Sequence, residues 1–452
     1  MGLSVFGSFA KIHESITRFI FMRSFAETIE YILQFLLGDD KELVYYGNDY
    51  VENKKIIIWK SEFWNDDFYG TTKSIPVTPL KILPDSEDVP FLYGDERIER
   101  KNDQIIIYAD LIASSFYMMS RYEEILFPQK RDALGCYLAE YSIIFKSGYG
   151  LRPIVDEYSK YLKLLLSKLD GVDRTFECGF SKIWLTHDLD APFYFHRFDN
   201  LVRQWLKNIF VPSCRVKNCL KKYVSGKNDP YDTFDRIFEL DNRVKSASPN
   251  AEVIYFIITA KNHFWNTYRN INSKKYKQLI HRILNNGDGF GVHLSLEAGK
   301  DSNKIKSEVA RMPIDVKPLR SRYHYLRWAD IKATSYMLDS GINEDYTLGY
   351  ADHAGFRVGT CRSYYFMNPL EGSLTKLKIV PMQIMEVNYS KDFMNLDYQE
   401  ALEISKEIVD QVYYHGGELN VLWHNNQLMV KYYDDLYSDV IDYVMNKIFS
   451  RI

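Results

Sequence analysis

Ile183-Trp184-Leu185-Thr186-His187-Asp188-Leu189-Asp190 is an apolar run that ends abruptly in an imidazole and two carboxylates. The same plan returns downstream, in VIYFIIT at 253–259, FGVHLS at 290–295, VKPLRSR at 316–322, IVPMQIME at 379–386 and LNVLWH at 419–424. Stretches with helical spacing lie between them, at 231–246, 273–286, 301–311, 328–340 and 399–415. Strands alternating with amphipathic helices predict βα repeats, with the helices covering a parallel sheet or barrel. In such folds the active site lies at the C-terminal ends of the strands. The polar residues that end each apolar run are therefore the ones to examine.

Outward from this repeat, residues 1–175 mix the strand-like runs IIIW at 56–59 and IIIYAD at 105–110 with helical pieces. They read as a separate α/β domain, with the polar segment 171–179 as its boundary and a second domain over 180–452. Residues 193–227, rich in basic and aromatic side chains, read as an insertion, either a helical flap or a solvated surface excursion.

The chain has 452 residues, 46% hydrophobic and 26% charged, the composition of an ordinary globular protein. Its 57 basic and 60 acidic residues give a net charge of -3 and no electrostatic reason to bind nucleic acid. Five cysteines are too few for a disulfide framework. Cys214 and Cys219 have a spacing open to a metal pair, but no Cys/His cluster accompanies them. Arg18, Arg23, Glu27 and Glu30 punctuate 16–38 at helical intervals, so an amphipathic helix is expected rather than a signal, and no run predicts a membrane span. The expected location is cytoplasmic.

Asp188 and Asp190 could aim one carboxylate at a metal and the other at its water, or could equally make a cap or Asx turn. His293 ends the next-but-one apolar run, where a neutral imidazole is either a metal ligand or a hydrogen-bonded structural residue. Glu297, four residues on, would share a helical face with it. Arg322-Tyr323-His324 and Leu422-Trp423-His424 end two further runs, and a histidine across from the base could protonate a leaving group. Asp345 and the glycine-rich loop that contains Arg357 read either as substrate contacts or as turns, and Trp423 is a further candidate contact.

In this order the segments resemble the NodB-type polysaccharide deacetylase family, in particular a divergent branch with a separate α/β domain in front. SRYEE at 120–124 and RPIVDEY at 152–158 resemble the leading domain of that branch. The resemblance implies a distorted (β/α) barrel behind an N-terminal α/β domain. It implies Asp188 as general base, Asp190 and His293 as metal ligands, Arg322 as the residue orienting the base, and His424 as the acid. The best-known members carry a second histidine where this chain has Glu297, which leaves Glu297, His324 or a water as the third ligand.

The expected activity is removal of acetyl groups from a sugar or polysaccharide with a divalent metal, zinc by its ligand types. Two rivals remain at this level. One is a non-catalytic glycan-binding or polysaccharide-assembly protein. The other is a glycosidase using a pair among Asp188, Asp190 and Asp345.

Overall fold

The structure is a computed structural model describing residues 25–101, 103–174, 177–194, 229–260, 271–328 and 330–450. Arg18, Arg23, Cys214, Cys219 and nearly all of the 193–227 segment lie outside the described residues. The chain divides into two units, the first reaching to Ala133 and taking in Tyr137–Glu177 and Phe356–Ile379, the second holding Leu134–Cys136, Cys178–Gly355 and Val380–Ile452.

In the first unit, strands β1 (Val44–Gly47), β2 (Ile56–Trp59), β3 (Gly94–Lys101) and β4 (Gln104–Ala109) form a sheet in the order β1-β2-β4-β3. β1, β2 and β4 are parallel and β3 is antiparallel to β4. Ile56, Ile57, Ile58, Ile105, Ile106 and Ile107 are all buried, as continuous apolar runs in a sheet covered on both faces should be. Helix Ala26–Leu37 buries Ile32, Leu33, Leu36 and Leu37, one stripe at helical spacing.

A late stretch of chain belongs to this unit because a buried carboxylate holds it. Asp156 accepts from Thr360 Oγ1, the Cys361 backbone N–H at 2.8 Å and Arg362 Nε at 2.7 Å. The antiparallel hairpin of β10 (Tyr364–Asn368) and β11 (Ser373–Ile379) follows.

Among the described residues, the second unit is built on seven parallel strands. In chain order they are β5 (Lys182–Asp188), β6 (Ala251–Ile258), β7 (Gly289–Leu294), β8 (Arg320–Tyr323), β9 (Glu344–Asp345), β12 (Ile384–Met385) and β13 (Glu418–Leu422). They lie in the order β9-β8-β7-β6-β5-β13-β12. The apolar run 379–386 yields only a two-residue strand, and Pro381 within it has no N–H to give a ladder.

Among the described residues, the barrel expected from the sequence is not closed as a continuous ladder. In residues 380–385, Val380 N–H bonds Asp345 O of β9 at 2.9 Å, Met382 N–H bonds Leu348 O at 3.2 Å, and Ile384 pairs with Val421 of β13.

Side chains on a strand alternate between faces. On one face of β5 stand Trp184, Thr186 and Asp188, and on the other Leu185 and His187. The first face meets its neighbours in layers. Arg320 with Glu252 and Glu344 forms an ionic layer at the strand starts. Trp184, Ile254, Phe256, Tyr346 and Val380 form an apolar layer above it. The polar groups of the site stand at the strand ends. Helix Lys274–Asn285 starts with Ser273 Oγ accepting from Tyr276 N, and helix Tyr398–Tyr414 starts with a reciprocal Asp397–Glu400 capping box.

Candidate metal centre

Strand register brings the site together. His293 of β7 stands directly beside Arg322 of β8, and Asp188 ends β5 two strands away. Arg322 is fully buried and spends its donors on three targets: Nη1 on Asp188 Oδ1 at 2.9 Å, Nη2 on Thr186 Oγ1 at 3.0 Å and Nε on Tyr346 O at 3.1 Å. Burial works against ionisation of Asp188, but His293, Arg322 and His424 outweigh it and leave its pKa below the ordinary carboxylate value.

Two residues further on, Asp190 faces three imidazoles. Its Oδ1 is 3.1 Å from His293 Nε2, and its Oδ2 is 3.3 Å from His324 Nε2 and 3.5 Å from His424 Nε2. Burial again opposes the charge, yet the histidines hold the Asp190 pKa well below the ordinary value.

Asp190, His293 and His324 form a group whose ligand atoms all lie within 4.8 Å of one another. His293 Nδ1 is 3.0 Å from the Arg322 carbonyl. A carbonyl only accepts, so Nδ1 carries a hydrogen and Nε2 is the nitrogen aimed at Asp190, able to hold a second proton or a metal ion. That Nε2 is buried, with the Asp190 carboxylate at 3.1 Å. At this distance from the carboxylate, Nε2 needs either a second ring proton or a cation between the two atoms. Ligand bonds of about 2.0–2.2 Å to one ion separate neighbouring ligand atoms by roughly 3 Å, so the three residues fit a divalent metal.

Glu297, the other candidate ligand, is half-buried at the start of a 3-10 turn, outside this group.

On the far side of the Asp190 carboxylate, His424 is held by a residue the sequence analysis passed over. Glu386 is fully buried, and its Oε1 lies 2.6 Å from His424 Nδ1 while accepting from the His424 backbone N–H at 3.2 Å. Burial favours the neutral ring, but Glu386 and Asp190 outweigh it and carry the His424 pKa well above the ordinary value. The signal was present, since Glu386 is the polar residue ending the apolar run 379–386.

Comparison with known proteins adds little to this geometry. Residues 9–170 match the model of a family of unknown function, DUF7033. No curated protein matches the chain. The chain is similar to a solved polysaccharide deacetylase candidate from Mycobacterium smegmatis at 13% identity and a TM-score of 0.38, over 60% of this chain and 86% of that one. A likeness this loose carries no argument about the site.

The remaining residues singled out from the sequence lie elsewhere. Asp345 is buried, with Ser321 Oγ at 2.7 Å, Thr347 N–H at 3.0 Å and Thr347 Oγ1 at 2.9 Å on its oxygens. Trp423 is buried and stacked on Tyr437, ring centroids 4.8 Å apart. Arg357 belongs to the first unit, paired there with Glu124. Beside the metal group itself stands a residue not singled out from the sequence, Tyr325, stacked on His324 at 4.0 Å and 40% exposed.

Proposed function

We propose that the second unit is a divalent-metal hydrolase that removes acetyl groups from a sugar or polysaccharide, on a distorted (β/α) barrel of the NodB type. One observation carries the reading: an Asp-His-His group lies between an arginine-bound carboxylate and a carboxylate-bound histidine, all at the ends of parallel strands. Asp190, His293 and His324 would hold the metal, and zinc suits two imidazoles and a carboxylate. When bound, such an ion polarises an acyl carbonyl and lowers the pKa of water.

The chain's own residues supply the rest. Asp188, kept ionised by Arg322, accepts the proton of the attacking water. Its other oxygen, Oδ2, lies 3.5 Å from His293 Nε2, at the edge of the metal group. His424, protonated and turned by Glu386, gives a proton to the departing amine or alcohol. Acetate and the free sugar group leave.

The test pairs elemental analysis with acetate release from N- and O-acetylated oligosaccharides. Stoichiometric zinc that falls in Asp190→Ala and His293→Ala, with acetate release lost in a metal-replete Asp188→Asn, is the expected result. A wild type that takes up no divalent metal overturns the proposal.

A further inference from the structure

His187 sits between Thr186 and Asp188 but on the opposite face of β5, turned away from the metal group toward the covering helices. It is fully buried, as is its partner Asp241 on helix Phe234–Ala247. Its two ring nitrogens both meet acceptors: Nδ1 lies 2.7 Å from the Trp423 carbonyl, and Nε2 lies 2.8 Å from Asp241 Oδ2. The carbonyl has no proton to offer, so Nδ1 carries one, and a second proton lies between Nε2 and Oδ2. Tyr437 of helix Lys431–Phe449 donates to the other Asp241 oxygen, and Tyr255 packs beside the imidazole at 4.9 Å. Asp288 is the other charged group acting on the ring, and together with Asp241 it favours the charged imidazole against the effect of burial.

The carbonyl that His187 holds belongs to the residue before His424. Trp423 also gives its N–H to Thr186 O at 2.9 Å. The main chain leading into His424 is thus clamped from both sides by consecutive residues of β5, while Glu386 fixes the ring itself.

We infer that His187 is a positioning residue: through its Nδ1–H it ties the Trp423 carbonyl to the end of β5 and so sets where the His424 ring stands opposite Asp190. The assignment of His424 as acid rests on the function proposed above; the tether does not. Asp241 orients the imidazole, and Tyr437 orients Asp241, so one chain of hydrogen bonds runs from two helices to the strand-end loop.

The experiment uses full-length, zinc-loaded protein labelled with 15N at histidine, as wild type, His187→Phe, His187→Gln and Asp241→Asn. In wild type, His187 shows Nδ1 protonated throughout pH 6 to 9. In His187→Phe the His424 ring signals move, while those of His281 and His415 stay and report an intact fold. In Asp241→Asn, which keeps the Nδ1–H bond, the His424 signals stay. If His187→Phe does not fold, His187→Gln takes its place.

Where acetate release is measurable, kcat falls up to about a hundredfold in His187→Phe with KM within about twofold, and Asp241→Asn retains most of the wild-type kcat. His424 signals unmoved in a folded His187→Phe overturn the inference. Absence of acetate release in wild type would tell against the proposed function instead, and leaves the spectroscopic result to decide the tether.

Discussion

Asp190 reaches His293, His324 and His424 with two oxygens, so each histidine has a different neighbour on its far side, and those neighbours set their roles. The Arg322 carbonyl fixes the His293 hydrogen on Nδ1, and Glu386 fixes the one on His424 Nδ1. Replacing His324 by Ala is expected to weaken zinc binding by at least about a hundredfold, whereas Glu297→Gln leaves it within about threefold. Isothermal titration with zinc checks both, and equal losses would mean that the ligand set is wrong. Glu386→Gln keeps the side-chain shape but removes the charge that favours protonated His424. Its zinc content should match wild type while kcat for acetate release drops about a hundredfold, the scale of one general acid.

At the scale of elements, the strand ends can converge because the interior is packed by layers, and one glycine permits it. A Cβ at Gly291 of β7 would stand 2.4 Å from Phe256 Cε1 and 3.0 Å from the Arg320 carbonyl oxygen. Phe256 in turn supports the buried Arg322 guanidinium, whose carbon is 4.5 Å from the ring centroid. Gly291→Ala is therefore expected to destabilise the second unit by about 1–3 kcal/mol, and Phe256→Leu in the same chain to restore part of that. Chemical denaturation of the single and double variants checks it; additive losses would show that the Phe256 ring is not the obstacle.

For the molecule as a whole, both units bury charged groups. The second holds a cluster of buried charge around the metal group, while the first holds a buried acid, Glu123, with no ion-pair partner within 4 Å among the described residues. Glu123 is buried, and burial outweighs the Ile143 N–H at 2.8 Å, Tyr137 and Lys130, which favour its ionised form, so its pKa rises from 4.5 to about 7. The unfolded chain loses that proton near pH 4.5 and the folded unit holds it until about 7. The contribution to stability is therefore greatest at and below the lower value, falls between the two, and is flat beyond. At about 1.4 kcal/mol per unit the whole fall is about 3 kcal/mol. Thermal melts from pH 4 to 8 should show this loss in the first unit's transition, and Glu123→Gln should abolish the slope. Equal slopes in both proteins would assign the pH dependence to another group.

The repeat was legible in the sequence, as were the residues that stand at the strand ends. Apolar runs ending in Asp188, His293, Arg322 and His424 became parallel strands whose ends meet, because burial on both sheet faces writes continuous apolar segments that a reader can count. IIIW at 56–59 became a strand with the same bounds. Tertiary structure alone decided which imidazole joins Asp190 and His293, since His324 arrives through a turn after β8 that no spacing rule predicts. It also decided that Glu386 faces His424, that His187 faces away from its two neighbours' site, and that residues 356–379 join the first unit. These outcomes depend on strand order and on which face each residue takes. Both are set by packing between segments far apart in the chain, which local periodicity does not encode.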